Sequence, residues 1–391
     1  MFANSPTGSL VPIHGVDPRR GEWSHVAFLP NPLPDECPSL TARTHNTVAD
    51  ARAALAALGA RASLLPNPRL LRRPTLKVEA QSTSALEGTY APLEAVLGAD
   101  EDEEQPTVEM REIVNYLLTA EYAFAWVDDA RPIALGFFED LHARLVRGTA
   151  ADTDQAGRVR TVQVAIGSRR GGRIEEARFV PAPPGPELET LTRDCVQWMA
   201  ADHLPDIDPV VAAAMGHYQF ETLHPFNDGN GRIGRLAMVL QLLLAHALTE
   251  PTLSVSPWFE QRRPEYYDLL RGVSALGDWN SWVEFFAAGV AESARSTERR
   301  LELLLSVQRD LKERLRRAGL RADTAYSLVD FALGQSIFTV RQVERKLGIS
   351  YGRANKLVQQ LVDAGVLYQY DDTAYSRRFA AADVLTALTT G

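Results

Sequence analysis

Apolar residues recur three and four positions apart along most of the chain, which is the spacing of one face of an α-helix. The pattern predicts helices over residues 47–62 and 74–88. After residue 108, Ile113 and Leu117 continue the same spacing and open a mostly helical region. We therefore expect a mainly α-helical protein.

Two segments depart from this spacing. Residues 1–40 contain several prolines and show little periodicity, which predicts an extended arm laid over the rest of the molecule. Residues 159–164 and 177–180 alternate weakly in hydrophobicity on either side of a basic, Gly-rich turn at residues 167–172. This pattern predicts a short β-hairpin within the helical region.

Two further helices are predicted in the second half of the chain. Residues 236–248 are apolar nearly all round, which is typical of a helix buried on every side. This helix would begin where a glycine-rich run ends. A long charged helix is predicted over residues 296–318.

The end of the chain predicts a small separate module. Thr339, with Gln342 three residues later, is a capping-box helix start, and Gly348 would end that helix. A second helix, capped by Ser350, would run to about residue 364, and a short hairpin follows. This order of elements resembles a winged helix-turn-helix.

The tail module could bind DNA or another protein. Arg353, Asn355 and Lys356 lie early in its second predicted helix, where a recognition helix would contact DNA. Asp371 and Asp372 fall at the tip of the wing, where a phosphate contact is expected, and they argue against DNA. We therefore expect DNA binding less than a role in protein docking or dimer formation.

The length of 391 residues suits two or three domains. We expect an N-terminal region at residues 1–107, a helical core at 108–295, and a linker helix with the tail module at 296–391. The 45% hydrophobic content is enough for well-packed cores. The net charge of −9 argues against a surface that follows nucleic acid throughout.

Cysteine usage and the apolar runs predict a compartment. Cys37 and Cys195 are too few for a disulfide framework and fit a reducing environment. The sequence starts without the basic and apolar regions of a secretion signal, and its most apolar stretch is too short to span a bilayer. We expect a cytoplasmic protein with no membrane partner.

The run at residues 224–235 has the composition of an anion site. It reads His-Pro-Phe-Asn-Asp-Gly-Asn-Gly-Arg-Ile-Gly-Arg. Gly229 and Gly231 allow a ligand to approach the main chain just before a helix, whose first amides and dipole favour phosphate. Arg232 and Arg235 would lie on one face of that helix, and planar guanidinium groups suit phosphate oxygens.

Two side chains of this run could take part in chemistry. His224 could accept a proton near neutral pH, and Asp228 could hold Mg²⁺ beside phosphates. A lone histidine is more often a packed residue, however, and His217 is best interpreted as one. His217 and His224 have no third His or Cys that would complete a zinc site.

The whole run resembles the signature of the Fic family, H-P-F-x-D-G-N-G-R-x-x-R. Members of that family typically transfer AMP from Mg²⁺-bound ATP to a hydroxyl group of a protein. The resemblance implies that His224 is the general base, Asp228 the Mg²⁺ ligand, and Phe226 the aromatic residue that fixes the loop. The residues that it implies for ATP binding are Val164, Ala165, Ile166, Gly167, Phe226, Asn227, Gly229, Asn230, Gly231, Arg232, Arg235 and Tyr267.

The predicted hairpin coincides with the segment that Fic proteins use as a flap. Its Val-x-Ile-Gly pattern is present at residues 164–167, which we call the flap. The resemblance implies that a protein substrate docks there by adding a strand. A plain surface hairpin remains the alternative. Arg169, Arg170 and Arg173, at its tip, are expected to form a solvated turn.

A second motif lies upstream. Thr83-Ser-Ala-Leu-Glu87-Gly88 resembles the inhibitory motif of the family, [S/T]-x-x-x-E-[G/N]. Thr83 and Glu87 are one helical turn apart. By this resemblance the carboxylate of Glu87 would pair with Arg235 and compete with the γ-phosphate of ATP.

The resemblance extends over residues 30–289 and leaves alternatives open. Tyr266 and Tyr267 would line the adenine pocket or simply pack. The expected activity is transfer of AMP from ATP to a Ser, Thr or Tyr hydroxyl, and self-modification and a homodimer are compatible with it. The rivals are an enzyme that removes AMP or transfers another nucleotide, and a DNA-binding regulator that uses its core as a nucleotide sensor.

Overall fold

The computed structural model describes residues 2, 4–17, 21–63, 69–100, 105–167, 173–371 and 377–389. Helices dominate these residues, as the hydrophobic spacing predicts. The helices of the first half are α1 (Ala42–Ser63), α2 (Arg69–Leu86), α3 (Leu93–Leu97), α4 (Val108–Asp128), α5 (Leu135–Val146), α6 (Pro186–Ala200) and α7 (Pro209–Leu223). Those of the second half are α8 (Asn230–Leu244), α9 (Ser256–Gln261), α10 (Arg263–Leu276), α11 (Trp279–Arg317), α12 (Asp323–Gly334), α13 (Val340–Leu347), α14 (Tyr351–Asp363) and α15 (Ala382–Thr389).

Within the described residues, five strands form two small antiparallel sheets. Strands β1 (Gly8–Asp17) and β2 (Gly21–Pro30) pair with each other along their full length. Strands β3 (Ile337–Thr339), β4 (Tyr368–Gln369) and β5 (Arg378–Ala380) form a second sheet in the order β3-β5-β4. Both sheets lie outside the central helices.

The N-terminal arm differs from the sequence prediction. It is a regular β-hairpin rather than an irregular extended segment, because Gly8 to Asp17 pair with Pro30 to Gly21. Ile13 and Ala27 pack on Val180, and Phe28 N donates a hydrogen bond to Val180 O at 2.8 Å. The hairpin therefore lies against the segment that follows the flap, and the expectation that the arm covers another part of the molecule is correct.

The core is centred on α7 and α8. Nearly every residue of α7 is buried, and the buried stripe of α11 packs on this helix, where Trp282 Nε1 donates to Ala214 O at 2.9 Å. The all-round apolar pattern correctly predicts a buried α8, but the helix begins at Asn230 and ends at Leu244 rather than residue 248. It ends early because His246 adopts a left-handed φ of 52°.

The predicted hairpin strands at residues 159–164 and 177–180 are absent from the described residues. In the part of residues 159–180 that the structure describes, a single β-bridge joins Ile166 to Phe179, and a 3-10 turn spans Ile174–Glu176. Regular pairing fails because side chains take the carbonyls: Arg160 donates to Val162 O, and Gln163 donates to Val164 O. Arg169 and Arg170 lie outside the described residues, and Arg173 is exposed.

The long charged helix is longer than predicted. α11 contains 39 residues and runs without a break across residue 295, so one helix carries the chain from the core into the tail. The proposed domain boundaries stay predictions. No helix within the described ranges is both long and apolar enough to cross a lipid bilayer.

The tail has the elements that the sequence predicts. Thr339 and Gln342 form the expected capping box, and Gly348 ends α13 in a left-handed conformation. Ser350 is the N-cap of α14, although its side chain makes no capping hydrogen bond. A winged helix-turn-helix stays a prediction, as does the expected choice between DNA and protein partners. Asp372 lies outside the described residues.

Candidate functional site

A cavity of about 640 Å³ lies between the end of α7, the flap and α10. Its volume falls within the range of small-molecule sites. The lining residues come from distant parts of the chain. They include Glu87, Ile166, Gly167, Arg178, Phe179, Glu221, Thr222, His224, Arg263, Tyr267, Arg271 and Ser274.

His224 follows the last residue of α7 and adopts a left-handed conformation, with φ 50° and ψ 59°. Its Nδ1 lies 3.3 Å from Glu221 O, so that nitrogen carries the proton and Nε2 keeps a lone pair. Burial, together with the positive charge of Arg160, lowers the pKa of His224 to about 4. The imidazole is therefore neutral at physiological pH and can act as a base.

The loop after His224 is held by an aromatic stack. Phe226 is fully buried and lies parallel to His142, with the ring centroids 4.2 Å apart. Gly157 N donates to Nδ1 of His142 at 2.9 Å, so Nε2 carries the proton and donates to Asp228 O at 3.1 Å. Burial lowers the pKa of His142 to about 4, which keeps this arrangement neutral.

Asn230 closes the loop on itself. Its Oδ1 accepts a hydrogen bond from Phe226 N at 2.8 Å, and its Nδ2 donates to Phe226 O at 2.7 Å. The side chain is therefore committed to the loop, and the predicted phosphate contact of Asn230 is left to its main-chain amide. Asn227 and Asp228 are exposed at the outer side of the loop.

The first turn of α8 has the geometry of an anion site. Gly229 is its N-cap, with a φ of 75° that favours glycine. Arg232 and Arg235 are both buried, with 4% and 1% of their side chains exposed. Two guanidinium groups and the first amides of a 15-residue helix thus lie together, as the sequence predicts.

Arg235 is held by the inhibitory motif of the sequence analysis. Its Nε donates to Thr83 Oγ1 at 2.8 Å, and its Nη2 donates to Thr83 O at 3.1 Å and to Glu87 Oε1 at 2.6 Å. Burial would raise the pKa of Glu87, but the ion pair with Arg235 outweighs it, and the pKa lies below its usual value. Gly88 follows with a φ of 91°, which turns the chain away from the helix.

Arg232 also has a carboxylate partner, which the sequence analysis does not identify. Glu112, on α4, accepts from Arg232 Nη1 at 3.2 Å and from Thr89 Oγ1 at 2.8 Å. Thr89 lies two residues after Glu87. Both arginines of the loop are therefore linked to the segment that carries the inhibitory motif.

Glu221 is a second residue that sequence reasoning missed. It lines the cavity, and its Oε1 is a buried atom without a hydrogen-bond partner among the described residues. Burial raises the pKa of Glu221 to about 8, and nearby Glu87 adds to the increase while Arg235 opposes it. Its carboxyl group is therefore largely protonated at neutral pH.

Other predicted residues divide into those that line the cavity and those that pack. Ile166 and Gly167 of the flap line it, whereas Val164 and Ala165 are half-buried beside it. Tyr267 lines the cavity, and burial raises its pKa to about 12. Tyr266 is instead a core residue.

His217 is also a core residue, as the sequence analysis expects. It is fully buried, and its Nε2 lies 2.7 Å from the hydroxyl group of Tyr266, which is likewise fully buried. Burial lowers the pKa of His217 to about 3, so the ring stays neutral in the core.

The residues present fit a Mg²⁺ ion that arrives with a phosphate ligand. No group of three or more His, Cys, Asp or Glu side chains that could hold a metal occurs among the described residues. Asp228, however, has 58% of its side chain exposed at the mouth of the loop. Mg²⁺ commonly uses one or two carboxylates together with waters and phosphate oxygens, so this single carboxylate suits it.

Comparison with known proteins assigns both halves of this site. Residues 132–242 match the model of the Fic/DOC family, and residues 45–125 match the model of the Fic/DOC family N-terminal region. A solved Fic family protein from Desulfovibrio desulfuricans G20 has the same fold, with a TM-score of 0.53 and 23% identity. That match covers 89% of this chain and 98% of the other.

Curated relatives match over shorter lengths. Protein adenylyltransferase fic-1 of Caenorhabditis elegans is 35% identical over 148 residues, which cover 38% of this chain and 25% of the relative. Protein adenylyltransferase Fic of Drosophila melanogaster is 31% identical over 208 residues, which cover 53% of this chain and 37% of the relative. The chain thus spans between a quarter and two fifths of the length of these two relatives. With the loop at residues 224–235, the two family matches assign residues 45–125 and 132–242 of the chain to the Fic/DOC family.

Proposed function

We propose that the protein transfers AMP from ATP to a Ser, Thr or Tyr hydroxyl group of a protein, and that Glu87 restrains this activity. The observation that carries the proposal is the loop between α7 and α8. It carries a neutral His224, which lines the cavity, together with the exposed Asp228 and the first turn of α8, which has the geometry of an anion site. The names of the curated relatives support the same reaction.

The triphosphate of ATP suits the first turn of α8. Phosphate oxygens would accept hydrogen bonds from the helix amides and from Arg232 and Arg235, which supply two positive charges in a buried setting. Gly231 lets a ligand approach the main chain there. The α-phosphate would then face His224, and the nucleoside would extend toward the wall that contains Tyr267.

The reaction needs a base and a stabilised leaving group. The hydroxyl oxygen of the target attacks the α-phosphorus, the bond to the bridging oxygen breaks, and pyrophosphate leaves. Nε2 of His224 takes the proton of the hydroxyl, because Nδ1 already donates to Glu221 O. A Mg²⁺ ion held by Asp228 would neutralise phosphate charge, and the two arginines neutralise the rest.

A protein target would dock along the flap. Ile166 and Gly167 line the cavity, so a strand added beside residues 164–167 would bring a hydroxyl group near His224. Val162 is exposed at the entry to this segment and offers an apolar contact. Main-chain pairing depends little on sequence, so a flexible segment of the protein itself could also be modified.

Inhibition follows from the contacts of Glu87. Its carboxylate occupies Arg235 and adds a negative charge at the end of the cavity where the γ-phosphate would bind. ATP then loses one guanidinium partner and meets repulsion, so its α-phosphate is not oriented for attack.

The test is transfer of radiolabelled AMP from ATP by three variants and the wild type. Glu87→Gly should incorporate far more AMP into itself and into added protein than the wild type, and His224→Ala in that background should incorporate none. Glu36→Gly removes an exposed loop glutamate and should behave as wild type. Equal labelling by wild type and Glu87→Gly would contradict the inhibitory role.

Mass spectrometry separates AMP transfer from its rivals. The Glu87→Gly variant incubated with ATP should gain the mass of AMP, whereas a different added group would indicate another transfer reaction. A protein already modified with AMP should keep it during incubation with the wild type. Loss of AMP in that incubation would instead support an enzyme that removes the group.

A further inference from the structure

We propose that Arg160 is a positioning residue that ties both ends of the flap segment to His224, so that docking at the flap and orientation of the base depend on one side chain. The inference rests on the proposed AMP transfer. It concerns a residue that the sequence analysis does not select.

The guanidinium group of Arg160 bonds to carbonyls of two separate parts of the site. Nε donates to His224 O at 2.8 Å, and Nη2 donates to Leu223 O at 3.4 Å, both at the end of α7. On the other side, Nη1 donates to Val162 O at 3.0 Å, and Nη2 donates to Ala182 O.

The main chain repeats the same connection. Arg160 N donates to Pro225 O at 2.8 Å, so both the backbone and the side chain of this residue bind the peptide units around His224. Only 1% of Arg160 is exposed, and its bonds are therefore shielded from competition with water.

The charge of Arg160 suits this position. It lies at the C-terminal end of α7, where the carbonyl dipoles favour a cation. Burial lowers the pKa of Arg160 to about 10, so the guanidinium remains charged at neutral pH. Its hydrogen-bond acceptors among the described residues are carbonyl oxygens and not carboxylates, so its positive charge acts on the neighbouring imidazole.

His224 needs such a restraint. Its φ of 50° is unfavourable for a residue with a side chain, and persists only where the surroundings fix it. The bond from Arg160 to His224 O holds this peptide unit directly. Because the same guanidinium holds Val162 and Ala182, a strand that orders the flap also orders His224.

Lysine cannot replace this geometry. A planar guanidinium presents several N–H groups in fixed directions and can reach carbonyls on opposite sides, whereas an ammonium group is a single point. Arg160→Lys therefore keeps the charge but loses the connection. Arg160→Met loses both, and Arg158→Met is a matched control, because Arg158 is exposed two residues away.

Activity is measured in the Glu87→Gly background, where AMP transfer is released. Arg160→Lys should lower kcat by roughly a hundredfold, since small displacements of a catalytic group have effects of this size, and should leave KM for ATP nearly unchanged. Arg158→Met should match its parent. Thermal melting checks folding, and a loss of activity by Arg160→Lys that only follows its loss of folded protein would overturn the proposal.

The pH profile of activity separates the effect of the charge of Arg160 from the effect of its hydrogen bonds. Arg160 helps to lower the pKa of His224, whereas Asp228 and the Glu221 carbonyl raise it, and Glu87 is absent from this background. Arg160→Met should therefore move the acid limb of kcat/KM to higher pH, and Arg160→Lys should leave it in place. If Arg160 had a purely structural role, the acid limb would stay in place in both variants.

Amide hydrogen exchange tests the connection between the flap and His224 without a measurement of activity. Arg160→Lys should increase amide exchange both at residues 162–167 and at 222–226, and Arg158→Met should change neither segment. Exchange that increases in one segment alone would overturn the proposal. If Glu87→Gly transfers no AMP at all, the proposed function is wrong, and the exchange experiment still decides the role of Arg160.

Discussion

The carboxylate of Glu87 lies against the main chain of Gly231, so closely that a β-carbon on this glycine would stand 2.0 Å from Oε1. Glu87 thus reaches the first turn of α8 as well as Arg235. A carboxylate at a helix N-terminus mimics a bound phosphate. Glu87 therefore lies in the first turn of α8 itself, as well as against its partner arginine.

This contact predicts that Gly231→Ala changes the free energy of unfolding in opposite directions in the wild type and in the Glu87→Gly variant. In the wild type the added methyl group meets Glu87 Oε1 and should lower the free energy of unfolding by about 1–3 kcal/mol. In the Glu87→Gly background the main obstacle is gone, and alanine should stabilise the helix by up to ~1 kcal/mol. Chemical denaturation of the four proteins checks this. Equal effects in both backgrounds would show that the two residues do not touch.

The charge of Glu87 and the hydrogen bonds of Thr83 predict that substitutions at these two residues raise AMP transfer to different extents. Glu87→Gln keeps the shape of the side chain but removes the ion pair with Arg235, and should raise AMP incorporation nearly as much as Glu87→Gly. Thr83→Val removes one neutral acceptor of Arg235 and should raise it less. Initial rates of incorporation give the order. A Thr83→Val variant faster than Glu87→Gln would mean that helix packing, not charge, restrains the enzyme.

Local patterns explain what the sequence predicts well. The helices α1 and α2 follow from apolar spacing, and the loop at residues 224–235 is a contiguous motif whose geometry depends on its own glycines. The pairing of Glu87 with Arg235 is also predictable, because each residue lies in a recognisable motif. These features need little information beyond the motifs themselves.

Residues that gain their role by tertiary packing are not predictable in this way. Arg160, Glu112 and Glu221 are single charged residues, which in a sequence resemble solvated surface positions. Only tertiary packing buries Arg160 and half-buries Glu112 and Glu221. The prediction of hairpin strands is wrong because it also depends on side-chain contacts. The side chains of Arg160 and Gln163 bind carbonyls of this segment and replace main-chain pairing.

Glu112 predicts a second electrostatic restraint on nucleotide binding. Its carboxylate offsets the positive charge of Arg232, so Glu112→Gln should tighten ATP binding severalfold in the Glu87→Gly background. Glu109→Gln, an exposed change on the same helix, is the control. Calorimetric titration with ATP measures both. Unchanged or weaker binding by Glu112→Gln would show that Glu112 orients Arg232 without opposing phosphate.

The protonated state of Glu221 predicts a pH-dependent stability. Burial raises its pKa in the folded protein to about 8, above the ordinary value of 4.5, so the folded state binds more protons than the unfolded state between these values. This contribution to stability is lost as pH rises. Glu221→Gln, a neutral mimic, should therefore melt at a higher temperature than wild type at pH 8–9, and the difference should vanish near pH 4.5. A difference that does not vary with pH would contradict a neutral carboxyl group.

The half-buried imidazole of His224 predicts the acid limb of the reaction. Its pKa of about 4 lies below the ordinary 6.5, because burial and Arg160 disfavour the charged ring. A base works only when unprotonated, so activity is lost as pH falls through this pKa. In the Glu87→Gly variant, kcat/KM should stay level from pH 8 down to about 6 and decline only below ~5, since loss of the Glu87 carboxylate lowers the pKa further. Melting curves at each pH serve as the control for folding. An acid limb centred near 6.5 in folded protein would mean that His224 is solvated in the working enzyme.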